Sequence, residues 1–147
     1  MSLEENKAIF RKAMEALNER NLDALDEFVA TDCVDHALQV RGLEELKQNR
    51  IEVFKSFPDW HIAIEDLIAE GDSVWAHVTV TGTHKGEYSV LPVAPTGKKI
   101  TESDIDKWRV VDGKIVEHSK GVNDEMNVLK QLGIIDYTED GKKLFPG

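Results

Sequence analysis

The chain has 147 residues, 41% of them hydrophobic, and its 28 acidic against 18 basic side chains leave a formal charge of −10. That is enough for one domain over residues 1–147 with a closed core, and too little for two. The negative balance repels phosphate backbones and anionic lipid, so no nucleic acid and no membrane is expected as a partner, and a small neutral molecule is the expected guest. Cys33, the only cysteine, excludes an internal disulfide and a thiolate metal cage. The first residues carry neither a basic region nor an apolar stretch, and no apolar run approaches bilayer length, which gives the expectation of a cytoplasmic protein held by packing.

In chain order, Ser2 and Glu5 make a capping box, and Phe10, Ala13, Met14 and Leu17 recur at helical spacing, predicting a helix over residues 3–20. Asn21 restarts a shorter helix, with Leu22, Leu25, Phe28 and Val29 on one face. "CVDHALQV" reads as a short strand, and Leu43, Leu46, Arg50, Val53, Phe54 and Phe57 as a third helix ended by Pro58. The period then changes to two. A strand near 60–68, a turn at "EGDS", and Val74, Ala76, Val78 and Val80 alternating with Trp75, His77, Thr79 and Thr81 predict a hairpin. A connection over 85–98 carries "APTG", which suits a type I turn. Strands 99–110 and 114–121 meet through Asp112-Gly113, and a final helix within "GVNDEMNVLKQLG" is closed by Gly133. Helices first and antiparallel strands after them indicate an α+β fold, with helices on one face of a curved sheet. Residues 134–147 are polar and weakly patterned, and read as a loose tail.

The strand "KITESDIDKW" has an unusual face. Ile100, Glu102, Asp104, Asp106, Trp108 and Val110 share one side. Apolar residues at both ends suggest an inward side whose acidic middle lines a cavity; the competing reading is a solvated stripe on an edge strand. Acids crowded into a cavity would raise one another's pKa, and desolvation would add to the rise. Asp124, at the start of the last helix, is either its N-cap or a carboxylate aimed into that cavity, and the neighbouring Asn123 could cap equally well.

"FPDWHIAIEDLIAEGDSVWAHVTVTGTHKGE", "PTGKKIT", "RVVDGKIVEH" and "DEMNVLKQLG", in this order and spacing, resemble the SnoaL-like polyketide (ester) cyclases over most of residues 2–133. The resemblance implies the cone-shaped fold shared with ketosteroid isomerase and nuclear transport factor, in which helices and a bent sheet enclose an apolar pocket. It also implies an intramolecular aldol-type ring closure, or a related isomerisation, of a small hydrophobic carbonyl compound with no metal and no cofactor. Asp124, seven residues before Gln131, would be the acid and base, with His36 as an orienting donor and Asp106 beside it. Asp104, Glu102, Trp108 and Phe54 would line the pocket. The chain departs from the family pattern where many members carry histidine at Asp106 and tryptophan at Lys120, and in a longer connection before "PTG". Lys120 could balance the added negative charge or lie in solvent.

The five histidines show no ligand spacing on a helix, so no metal site is expected. Trp60 and Trp75 read as packing residues, and Asp59 as a turn residue. The sheet side carrying Trp75, His77 and Thr79 invites a second copy, giving an expected homodimer or homotetramer. Two other activities fit the same residues: a binding module without turnover, and a small hydrolase using Asp104, Asp106 and Asp124.

Overall fold

The computed structural model describes residues 2–87 and 91–146, the side chain of Lys120 excepted, so the reading of Lys120 as a counter-charge lies outside the described residues. Helix α1 (Leu3–Asn18) begins at the expected capping box: Ser2 Oγ accepts from Glu5 N at 3.1 Å, and Glu5 Oε2 from Ser2 N at 2.6 Å. It ends two residues before the expected position because Arg20 takes a left-handed φ of 62°. From there the Arg20 guanidinium donates to the carbonyls of Pro58 (2.9 Å) and Trp60 (2.7 Å), tying the end of α1 to the sheet. A 3₁₀ turn at Leu22–Ala24, held by Asn21, runs into a single turn, α2 (Leu25–Phe28).

Strand β1 (Val29–Asp35) starts earlier than expected and stops inside "CVDHALQV". Asp35 Oδ1 accepts from Leu38 N at 2.9 Å and Gln39 adopts a φ of 56°, so this stretch is strand, turn and a short β2 (Val40–Arg41) rather than one strand. Helix α3 (Leu43–Ser56) follows, then β3 (His61–Glu70), β4 (Ser73–Thr83), β5 (Lys99–Val111) and β6 (Lys114–Val122). Asp112 and Gly113, both at positive φ (50° and 77°), make the tight hairpin that "DG" predicts. Asp59 accepts from Thr83 N and Oγ1 at 2.6 and 2.7 Å, a structural role in keeping with its turn position. "APTG" does not fold as the expected turn. Its amides turn to buried His84 instead: Thr96 N donates to Nδ1 at 3.2 Å and Gly97 N to the His84 carbonyl at 2.8 Å.

The sheet order is β2-β1-β6-β5-β4-β3, antiparallel except where β1 runs parallel to β6. Strand β5 is therefore central and paired on both sides, which removes the edge-strand reading of its acids. α1 packs against β3 and α3 against β1, giving helices on one face of a curved sheet. The core runs from Phe10 and Leu25 to Val74, Ala76 and Val110, all essentially without exposure. Helix α4 (Glu125–Gln131) closes in a Schellman-type end, with Gly133 at φ 76° and Ile134 N bonded to the Leu129 carbonyl at 3.0 Å. The expected loose tail instead contains a further helix, α5 (Glu139–Leu144), capped by Thr138, and Tyr137 stacks on Phe145 at 5.1 Å. Among the described residues no helix is long and apolar enough to cross a membrane.

Candidate active site

Between α1, α3 and the sheet lies a cavity of about 750 Å³, large enough for a drug-sized molecule. Met14 and Leu17 of α1, Val53 of α3 with Phe57 just past its end, and Trp60, Val78 and Val80 give it apolar walls. The inward side of β5 supplies Ile100, Glu102, Asp104, Asp106 and Trp108, the alternation read from the sequence. Asn123, Glu125 and Leu129, from the start and body of α4, form the adjoining wall.

The β5 acids are not equivalent. Burial, reinforced by the charges of Asp104, Glu125, Asp106 and Asp124, pushes Glu102 from 4.5 up to about 7. Burial and the neighbouring Asp106 also raise Asp104, against the hydrogen bonds it receives from the Asp124 amide (3.4 Å) and from Glu102. Asp106 sits where β6 carries an extra residue, since Ile105 pairs with Val122 but Lys107 with Ser119. There its Oδ1 accepts from Gly121 N at 3.1 Å. Only glycine fits at 121: an added Cβ would lie 2.0 Å from the Ile105 carbonyl oxygen.

His118, not singled out by sequence reasoning, is at the centre of the site. Asp35, His118 and Trp108 are register partners across β1, β6 and β5. His118 Nδ1 lies 2.9 Å from Asp35 Oδ2, and Nε2 is 3.4 Å from Asp106 Oδ2. The second contact is an ion-pair distance without good hydrogen-bond alignment. Trp108 stacks on the imidazole, 3.6 Å between centroids and 4° from parallel. Burial works against the charged ring, but the close Asp106 carboxylate, the bond to Asp35 and the charges of both acids outweigh it, and His118 is raised. Asp35 is nearly inaccessible, and burial alone would raise it; the His118 bond and charge, the Leu38 amide and the Arg50 charge hold it below its ordinary value.

The other expected site residues lie elsewhere. Asp124 occupies the N-cap position of α4 without a capping side-chain bond, is half-buried, and is not among the cavity-lining residues; its carboxylate accepts from Asn127 Nδ2 at 2.9 Å. Asn123 faces the cavity instead. His36 is exposed outside the cavity, with Nε2 3.3 Å from Glu117 Oε2, while Asp35 before it is buried against His118. Phe54 is held between Trp60 (5.7 Å) and the Arg20 guanidinium (4.1 Å), on the flank of α3 away from the hollow. Trp60 packs and also lines the cavity. Gln131 pins α4 to β5, its side-chain amide donating to the Thr101 carbonyl at 2.8 Å and accepting from the Thr101 amide at 2.7 Å. Among the described residues no group of three or more His, Cys, Asp and Glu could hold a metal ion.

Comparison with known proteins agrees with this architecture. The aklanonic acid methyl ester cyclase of Streptomyces peucetius is 26% identical over 132 residues, covering 85% of this chain and 88% of the relative. AclR from Streptomyces galilaeus, described as a proposed hydroxylase, superposes with a TM-score of 0.80 at 28% identity, covering 97% of this chain and 95% of its own. IdmH from Streptomyces antibioticus, a proposed polyketide cyclase, gives 0.73 at 29% identity over 87% of this chain and 98% of its own. The profile of the SnoaL-like polyketide cyclases matches residues 7–132, and with the cone-shaped α+β fold it places the chain in that family.

Proposed function

We propose that the protein is a cofactor-independent cyclase or isomerase acting on a small, largely apolar carbonyl compound, with the β5 carboxyls as acid and base. The observation that carries this is Glu102, brought to about 7 in a cavity with apolar walls on the helix side, next to a second raised carboxyl, Asp104. A carboxyl balanced near neutral pH can both take and return a proton. The ionised carboxyl removes an activated C–H proton. The resulting enolate carbon forms the new C–C bond to a second carbonyl of the same molecule, and the protonated carboxyl returns its proton to the alkoxide. No electrons are gained or lost, so the side chains suffice.

The family resemblance points to Asp124 as the acid and base, whereas the geometry favours Glu102 and Asp104. Asp124 supports them by donating its amide to Asp104 and adding its charge to the field on Glu102. The exposed outer sheet side, with Trp75, Ile68 and Ile105, supports a homodimer; light scattering of Trp75→Glu should then report a monomer.

α-Proton exchange of 2-tetralone into D₂O, followed by NMR, tests the chemistry without knowledge of the natural substrate. The parent should accelerate exchange near neutral pH and Glu102→Gln should lose about 10²-fold or more of that rate. Undiminished exchange in Glu102→Gln would exclude Glu102, and tight binding of the ketone with no exchange by the parent would favour a binding module.

A further inference from the structure

We propose that Asp35 and His118 are positioning residues for the acid/base reaction: Asp35 fixes His118 as an imidazolium at the inner end of the β5 acid row, where it draws the negative charge that proton abstraction moves onto the substrate. This rests on the acid/base reading of the cavity.

The protonation state follows from the ring's place between two carboxylates. An ionised carboxylate only accepts hydrogen bonds, so Nδ1, 2.9 Å from Asp35 Oδ2, carries a hydrogen. Nε2 makes no hydrogen bond but lies at ion-pair distance, 3.4 Å, from Asp106 Oδ2, and a positive ring between the two acids is favoured over a neutral one. The ring cannot turn away. It is 7% exposed, covered by Trp108 at 3.6 Å, and Asp35 is itself anchored by the Leu38 amide at 2.9 Å. Arg50 from α3, which lines the cavity, adds a positive charge that Asp35 also feels, and Glu117, next to His118 in sequence, is turned outward to His36. The chain of contacts therefore runs from the Leu38 amide through Asp35 and His118 to Asp106, whose other oxygen is fixed by Gly121.

When Glu102 or Asp104 takes a proton, its negative charge passes to the enolate oxygen, and Asp106 would oppose an anion in the same hollow. An imidazolium beside Asp106, on a ring that itself forms part of the cavity wall, offsets that opposition together with the Arg50 guanidinium, which also lines the cavity.

The decisive pair of measurements is ¹⁵N NMR of the His118 ring and the pH profile of 2-tetralone exchange, in the parent and in Asp35→Asn, which retains an acceptor for Leu38. In the parent both ring nitrogens should remain protonated at pH 7.5. In Asp35→Asn the ring should lose its proton at lower pH, kcat should fall ~10–100-fold with KM changed less than about twofold, and the alkaline limb should move to lower pH. A neutral ring in the parent, or an unaltered kcat and pH profile in the variant, would overturn the proposal. If Asp35→Asn does not fold, the parent spectrum alone decides the charge state. A charged ring in a parent that shows no exchange would count against the proposed reaction and the positioning role together, leaving the ion pair as a purely structural element.

Discussion

Replacing Glu102 by glutamine should make the protein more stable at alkaline pH while removing its proton transfer. Glu102 titrates at about 7 in the folded protein against 4.5 ordinarily. Below pH 4.5 the carboxyl is neutral in both folded and unfolded chains and costs nothing. Between 4.5 and 7 the unfolded chain releases the proton while the folded one keeps it, so stability falls as pH rises through this window and the full cost is present above about 7. At about 1.4 kcal/mol per pH unit the span corresponds to roughly 3 kcal/mol. Glutamine has a similar volume and no charge, so Glu102→Gln should match the parent near pH 4.5 and exceed it at pH 8 by about 2–3 kcal/mol. Urea unfolding followed by tryptophan fluorescence would read this as a midpoint higher by roughly 1–2 M at pH 8 and unchanged at pH 4.5. Parallel pH dependences in the two proteins would refute the reasoning, because they would mean that the folded state does not hold the Glu102 proton.

The remaining expectations concern the supports of the site. Gly121→Ala forces a methyl group against the Ile105 carbonyl, and should cost about 2 kcal/mol or more in urea unfolding and release the Asp106 carboxylate from its amide. Gln131→Ala removes both bonds to Thr101 and should cost about 1–3 kcal/mol, with faster amide exchange in α4 before global unfolding. Asp124→Asn keeps the backbone amide that Asp104 uses, so 2-tetralone exchange should stay within about tenfold of the parent; a loss as large as that of Glu102→Gln would return the acid/base role to Asp124.

The acid row was legible because β5 keeps a strict alternation from Ile100 to Val110, and because Val74 to Val80 on β4 gives the matching inward side. His118 was hidden by a bulge. Val110 pairs with Ile115 and Arg109 with Glu117, so Val116 is an extra residue and Ile115 and His118, three apart, face the same way. A reading at period two places them on opposite sides. Asp35 was obscured by its neighbour: in "VDHA" the histidine looks like the chemical residue, but its partner in the parallel ladder, not its type, decides which side chain enters. Phe54 and Phe57 both fit the helical stripe of α3, and the Arg20 clamp, made by a residue thirty-four positions earlier, settles which of them is drawn to the flank. The turn of helix at Glu139–Leu144 leaves no signal in hydrophobic spacing, because it is mostly exposed.

The extra residue opposite Asp106 lengthens β6 without turning its side chains over. Val122 points to the outer surface and Asn123 into the hollow, as they would if one residue at 120–121 were deleted and plain alternation ran on from His118. What such a deletion would take away is the kinked backbone that brings the Gly121 amide to the Asp106 carboxylate. A shortened β6 would keep the same wall beside the acids and leave Asp106 without its backbone donor. Length at this point therefore governs how firmly the innermost acid is held, and leaves the outline of the hollow alone.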